Sequence, residues 1–290
     1  MHTLKSEQLT VSIQTKGAEL VGLKTDALEY LWQADPNIWP RHAPLLFPIV
    51  GRLVDHEYTY NGKIYSMKQH GFARNNDFEL IAKTENSILF EQIATTKSKE
   101  IYPFDFILNV KYTLLDTKLI TEYIVKNPSD NKNLYFSIGA HPAFSCPFEK
   151  GQKRSDYQLI FDKKAIPEAY IAHEGLYEGN TTTVFSESGI INIADKLFDK
   201  DSFTFNPNPF SKVTFKHKPT QKEYLSITFK NYPYLGIWSK KNVAPFVCIE
   251  PWHGIADKKN HTKDFTEKEG VKKLAPQGVF NCSFTIEIHE

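Results

Sequence analysis

Two apolar runs in this chain end in the same unusual way. In "NLYFSIGAHPAFSCPF", residues 133–148, the run reaches His141 and Pro142 follows at once. In "APFVCIEPWHGIAD", residues 244–257, the run reaches Glu250 and Pro251 follows. Proline has no N–H to give to a sheet, so it ends a ladder. In an extended backbone, alternate side chains take opposite faces. Leu134, Phe136, Ile138 and Ala140 then share a core face, and Tyr135, Ser137, Gly139 and His141 share the other. Ser137 and Gly139 are small, which leaves room beside the imidazole. In the second run, Phe246, Cys248 and Glu250 lie opposite Val247 and Ile249. A carboxylate among Phe246, Cys248 and Trp252 loses hydration, which raises its pKa and improves it as a base. An imidazole and a carboxylate, each delivered to a strand end, form an acid–base couple.

The arginines are unevenly spent. The chain has four, Arg41, Arg52, Arg74 and Arg154, and the first three fall within "WPRHAPLLFPIVGRLVDHEYTYNGKIYSMKQHGFARNNDF", residues 39–78. The planar guanidinium suits fixed recognition of paired oxygens better than lysine does. The plainer role for each is to bind loop carbonyls. The same stretch holds "QHGFAR", where Gly71 lets the backbone turn sharply beside His70. Other chemistries lack their signatures. Cys248, Glu250 and His253 are neighbours in sequence, but Cys248 and Glu250 stand about 7 Å apart along a strand, and no second group has zinc spacing. No metal is expected. There is no G-x-S-x-G elbow for a serine nucleophile and no glycine-rich phosphate loop.

The elements that position these residues are strands. "LTVSIQT" alternates up to Gly17. "FELIAKTENSILFEQIATT" reads as two strands turning at Glu85 and Asn86, and "FILNVKYTLLDTKLITEYIVKNPS" as a hairpin turning near Asp116. "VTFKHKPTQKEYLSITFKN" is another hairpin, and "FNCSFTIEI" closes the chain. Such runs, rich in Val, Ile, Thr, Tyr and Phe and bounded by Asn, Asp, Pro and Gly, predict an all-β fold, a large antiparallel β-sandwich. One short helix is expected in "TKDFTEKEGVKKL". The segment from Cys146 to Thr183 reads as long surface loops within a single domain spanning residues 1–290.

Bulk properties narrow the partners. The net charge is +1 over 290 residues, without the basic excess or basic block that nucleic acid or an anionic membrane demands. Cys146, Cys248 and Cys282 are odd in number and lack C-x-x-C spacing, which argues against a disulfide framework. No apolar run approaches the ~20 residues of a membrane span, and the N-terminus has no signal-like apolar core. A soluble cytoplasmic protein, monomer or homodimer, is expected.

Together "LWQADPNIWPRHAPLLFPIVGRL", "KQHGFAR", "IGAHPAF" and "VCIEPWHGIAD" resemble the aldose 1-epimerase (galactose mutarotase-like) family, with its LacX-like branch the nearest match. The resemblance runs from "GAELVGLK" to the final strand. It implies a galactose mutarotase-like supersandwich of antiparallel strands, a sugar-binding cleft on a concave sheet, and no cofactor. It implies interconversion of the α and β anomers of a hexose. By motif, Glu250 matches the base, His141 the acid and His70 a second histidine, while Arg52 and Arg74 match arginines around the cleft. Phe72, Trp238 and Trp252 are candidates to cover the sugar's apolar face. Asp201, in "LFDKDSFTF", is the candidate counterpart of the aspartate that reads sugar hydroxyls in galactose mutarotases. "GAHPAF" departs from the motif those enzymes carry around the acid, which leaves open a hexose or a hexose 6-phosphate. The acid must start protonated, and a neighbouring Glu250 favours that. A non-catalytic carbohydrate-binding protein on the same scaffold is the rival from another class. A glycoside hydrolase needs two flanking carboxylates, and only one candidate stands out.

Overall fold

A computed structural model describes residues 1–289. Two antiparallel sheets dominate it. The outer sheet has nine strands, in the order Ile190–Asn192, Tyr157–Phe161, Lys212–His217, Glu223–Thr228, Val279–Ile288, Lys118–Lys126, Ile107–Leu115, Ser87–Ile93 and Glu79–Lys83. The hairpins at Asp116 and Pro219 and the closing strand lie here, in the register that their alternation requires. The second sheet carries the functional residues and is called the cleft sheet below. Its order is Leu176–Thr182, Ala169–His173, Phe203–Phe205, Tyr234–Trp238, Phe246–His253, Ile138–Ala140 and Leu45–Leu46, with Ala143–Ser145 pairing back onto Phe246–His253. A small sheet of His2–Lys5, Thr10–Ile13 and Leu20–Lys24 flanks them.

The main core lies between the two large sheets. One apolar cluster draws Val110, Leu119, Leu159, Phe215 and Ile286 from the outer sheet and Ile138, Phe205, Ile237, Val247 and Ile249 from the cleft sheet. Phe161 and Phe205 meet across it, their ring centroids 6.0 Å apart. The strand Phe246–His253 is buried along its whole length. Its alternation separates two environments: Val247 and Ile249 enter the core, while Phe246 and Cys248 join a second apolar cluster and Trp252 a third. Among the described residues, no helix is long and apolar enough to cross a membrane.

Several local expectations change. The stretch between Cys146 and Thr183 is not a set of surface loops. It contributes Tyr157–Phe161 to the outer sheet and Ala169–His173 and Leu176–Thr182 to the cleft sheet. The segment "TKDFTEKEGVKKL" holds a single 3-10 turn, Phe265–Glu267, and then a strand, Lys272–Leu274. Its apolar residues are too few to give a helix a buried face. The one α-helix among the described residues is Thr96–Ile101, started by a capping box between Thr95 and Ser98. One of the two expected strand endings is also different. Phe246–His253 runs straight through Glu250 and Pro251. Opposite it, pairing lapses at His141 and Pro142 and resumes at Ala143–Ser145.

The room expected beside Gly139 is filled. The Trp252 indole lies flat across the sheet, over Gly139 on one neighbouring strand and Gly236 on the other. A Cβ at either glycine would fall 2.5 Å from an indole carbon. The indole N–H donates to the Ala140 carbonyl at 3.2 Å. Gly236→Ala therefore forces the ring or the strand to move. The expected loss is about 1–3 kcal/mol of unfolding free energy, read from urea denaturation. Trp252→Phe removes the ring atoms nearest Gly236, so the double variant should lose less than the two single losses combined.

Candidate active site

The cleft sheet forms the floor of a cleft of about 570 Å³, within the range of small-molecule sites. Its lining includes His70, His141, Glu250, Arg41, Arg52, Arg74, Asp201, Trp238 and Trp252. Eight of the nine residues singled out from the sequence as catalytic or sugar-binding meet here. Phe72 does not. Its ring packs among Phe47, Tyr102 and Phe106, which makes it a core residue rather than a wall for a sugar.

His141 and Glu250 face each other because of strand register. Gly139 pairs with Trp252 and Ala143 with Cys248, so the register is the same on both sides of the proline gap. That sets His141 opposite Glu250 and Ala140 opposite Pro251. Directly opposed residues project from the same face of a sheet. His141 Nε2 lies 3.2 Å from Glu250 Oε2. The contact is close but not aligned as a hydrogen bond, and Glu250 Oε2 and His141 Nδ1 have no hydrogen-bonding partner. Three rings enclose His141: Trp39 stacks on it at 5.0 Å, and Trp238 and His70 meet it edge-on at 5.6 Å.

Burial decides the protonation of this couple. Glu250 is 1% exposed and His141 7%. Desolvation, then the charge of Asp201, pushes Glu250 well above the usual carboxylate range. Desolvation, then the charge of Arg74, pulls His141 down to about 3. Burial thus works against the expectation that Glu250 keeps His141 protonated. Two dry groups with weak hydrogen bonding are cheaper uncharged than as an ion pair. Burial therefore favours a protonated carboxyl beside a neutral imidazole.

His70 is fixed differently. Its backbone N–H donates to the Gly51 carbonyl at 2.9 Å, and its Nδ1 accepts from the Gly51 N–H at 3.1 Å. It sits at φ 65°, followed by Gly71 at 72°. This left-handed pair swings the imidazole into the cleft. Burial and the nearby Arg74 lower its pKa well below the ordinary value. With Nδ1 accepting, Nε2 carries the proton, so His70 is a neutral hydrogen-bond donor.

The arginines fill the plain role in part. Arg52 donates to the Glu174 carbonyl, and Arg74 Nη2 to the Gln69 carbonyl at 2.7 Å. The Nε atoms of both remain buried and unpaired. Arg41 donates to Asn75 at 2.8 Å. Asp201 takes φ 130°, a costly backbone for a non-glycine residue that accumulates at functional sites. Its carboxylate accepts from the Ser202 N–H, and burial raises its pKa.

Some cleft residues escaped the sequence reading. Trp39 does carry a signal, a tryptophan directly before Pro40 in a segment already rich in arginine. Tyr177 lines the cleft from a strand, and Glu174 and Gly175 from the turn before it, in a stretch read as loops. Lys240 is one lysine among many and had no signal. Metal ligation gains one observation: donor atoms of His141, Cys248 and Glu250 lie within 4.8 Å of one another, closer than their backbone spacing suggests. The Cys248 thiol is raised well above its ordinary value by burial and then by Glu250. A protonated thiol and a protonated carboxyl are poor ligands. His253 points to the other side of the strand, between Tyr232 and Phe280.

Comparison with known proteins gives a consistent result. A family model described as aldose 1-epimerase matches residues 1–267. The chromosomal LacX protein of Lactococcus lactis subsp. lactis is 34% identical over 295 aligned residues, which cover 98% of each chain. A galactose mutarotase related enzyme from Lactobacillus acidophilus superposes with a TM-score of 0.93 at 33% identity, covering 100% of this chain and 97% of that one. A galactose mutarotase-like protein from Lactobacillus casei superposes with a TM-score of 0.92 at 29% identity, covering 100% of both.

His253 generates a pH prediction. Burial, then the charge of Lys272, holds its pKa at about 3. The unfolded chain binds this proton below about 6.5 while the folded chain does not. Stability should therefore fall as pH drops from about 6.5 towards 3. The contribution is at most about 1.4 kcal/mol per pH unit. In the His253→Phe variant, urea unfolding between pH 6.5 and 4.5 should give a flatter slope than in the native protein.

Proposed function

This chain belongs to the aldose 1-epimerase family, and on that footing we propose that it interconverts the α and β anomers of an aldose by acid–base ring opening and closure. The observation that carries this reading is the 3.2 Å contact of His141 and Glu250 inside a cleft of sugar size. The two oxygens that must exchange protons, the C1 hydroxyl and the ring oxygen, are bonded to the same carbon. One closely spaced base and acid can therefore reach both.

The cycle starts when the shared proton crosses from Glu250 to His141, which gives a carboxylate and an imidazolium without any change in total protons. Hydroxyls of the bound sugar supply hydrogen bonds that Glu250 Oε2 and His141 Nδ1 do not make with protein groups. Glu250 then takes the proton from the C1 hydroxyl as the electrons of that O–H bond form the carbonyl. The bond between C1 and the ring oxygen breaks, and the ring oxygen takes the proton of His141. Rotation about C1–C2 presents the other face of the aldehyde, and the same steps in reverse close the ring. His70, a fixed neutral donor, holds an oxygen of the sugar. Trp238 and Trp252 offer apolar surfaces for its C–H faces.

Glu250→Gln keeps the size but loses the basicity. The catalysed anomeric relaxation rate, measured by polarimetry and corrected for buffer, should fall by ~10² or more, with little change in sugar affinity. His141→Asn should cost a comparable factor. The double variant should be hardly worse than the poorer single one, because both groups act in one step. A near-native rate in Glu250→Gln removes Glu250 as the base. Dialysis against a chelator should leave the native rate unchanged.

A further inference from the structure

In the proposed cycle His141 must carry a charge, and its surroundings largely oppose one. The charges of Arg74 and Arg41 disfavour a further cation beside them. His70, a neutral donor, meets the ring edge-on, and Nδ1 has no protein partner. Glu250, 3.2 Å from Nε2, favours the imidazolium while it is a carboxylate, but it loses that charge as it takes the C1 proton. A different contact remains on the flank of the ring. The Trp39 indole lies over the imidazole, with ring centroids 5.0 Å apart and planes inclined by 26°. The face of an aromatic ring is negative and attracts a cation within about 6 Å of its centre, indole most strongly.

Trp39 is built into this place. Its backbone N–H donates to the Asp35 carbonyl at 2.9 Å, and its own carbonyl accepts from the Trp32 indole N–H at 2.9 Å. Pro40 narrows its backbone freedom. Phe246 stacks on the Trp39 ring at 5.4 Å with planes inclined by 25°, and Trp238 meets it edge-on at 5.4 Å. The face turned to His141 is covered by the imidazole and is not open to a sugar.

We propose that Trp39 is a positioning residue for the acid, whose indole face holds the His141 ring towards Glu250 and stabilises it as an imidazolium during ring opening. The inference rests on the acid–base reading above and adds to it a group that acts through His141. Neutral imidazole gains only the stacking contact. Imidazolium gains the attraction of the π face as well. That difference between the two states, rather than the contact itself, lowers the barrier.

The experiment follows anomeric relaxation by polarimetry on the fastest of D-glucose, D-galactose and their 6-phosphates. Trp39→Leu keeps an apolar side chain and loses the π face. Its kcat should fall ~10-fold, the size of one desolvated cation–π contact, with KM nearly unchanged. Trp39→Phe keeps a weaker face and should recover part of the loss, with urea midpoints confirming folding. A second measurement leaves Trp39 in place. Fluorine on the indole drains the π face of negative charge with little change of shape. The native protein made with tryptophan bearing one, two or three ring fluorines should lose kcat at each step. The chain has four tryptophans, so the same labels are also placed in Trp39→Phe and in His141→Asn, where kcat should be independent of fluorine. A native kcat indifferent to fluorine, an equal dependence in Trp39→Phe, or a Trp39→Leu protein that raises KM and keeps kcat overturns the proposal. The two readings separate at His141. If His141→Asn costs ~10² but fluorine has no effect, the acid–base mechanism stands and Trp39 only packs against the acid. If His141→Asn keeps a near-native rate, or no sugar is interconverted, the acid–base reading fails and this inference falls with it.

Discussion

The register between Ile138–Ser145 and Phe246–His253 is the constraint on which the site depends. Two prolines interrupt this pairing, yet it resumes without slipping. A slip by one residue would send His141 and Glu250 to opposite faces. Both faces of Phe246–His253 are packed, so such a slip would also expose Val247 and Ile249 to the cleft and bury Glu250 in the main core. Core packing therefore holds His141 and Glu250 opposite one another. Across the proline gap a backbone bond remains, from the Ile249 N–H to the Pro142 carbonyl at 3.3 Å, and on its other side Glu250 stays paired with Gly236.

The cleft wall has its own support. Lys268 and Asp257, each 1% exposed at the side chain, form an ion pair at 2.8 Å. Asp257 also accepts from the Val54 N–H, its own N–H donates to the Arg52 carbonyl, and its carbonyl accepts from Tyr177. Lys268 donates further to the Ile255 carbonyl. A buried pair of this kind adds little net stability, but breaking it leaves a charge stranded. Here it ties the segments bearing Arg52, Tyr177 and Ala256 to one point. Arg154, the one arginine outside the cleft, links two other segments, donating to the Ala244 carbonyl and lying over the Phe198 ring.

Much of this was legible in the sequence because strand periodicity is local. "FILNVKYTLLDTKLITEYIVK" alternates so regularly that only one pairing buries its apolar face, and the hairpin follows. The prolines after His141 and Glu250 marked both residues: His141 follows the end of Ile138–Ala140, as expected, whereas Glu250 lies inside Phe246–His253, which runs on through Pro251. What failed depends on contacts remote in sequence. The gap beside Gly139 is filled by Trp252, 113 positions later. Phe72 sits in a cleft motif, but its ring turns to Phe47 and Tyr102. For His141 one neighbour was weighed and burial, which lowers its pKa, was not. The strands Ala169–His173 and Leu176–Thr182 were missed because a polar edge hairpin alternates weakly.

In the proposed cycle, ring opening leaves Glu250 with a proton and His141 without one. Burial favours that same distribution, raising the pKa of Glu250 and lowering that of His141. On that reading the surroundings of the two groups suit the acyclic aldehyde, and binding energy from the rest of the sugar meets the cost of engaging either ring.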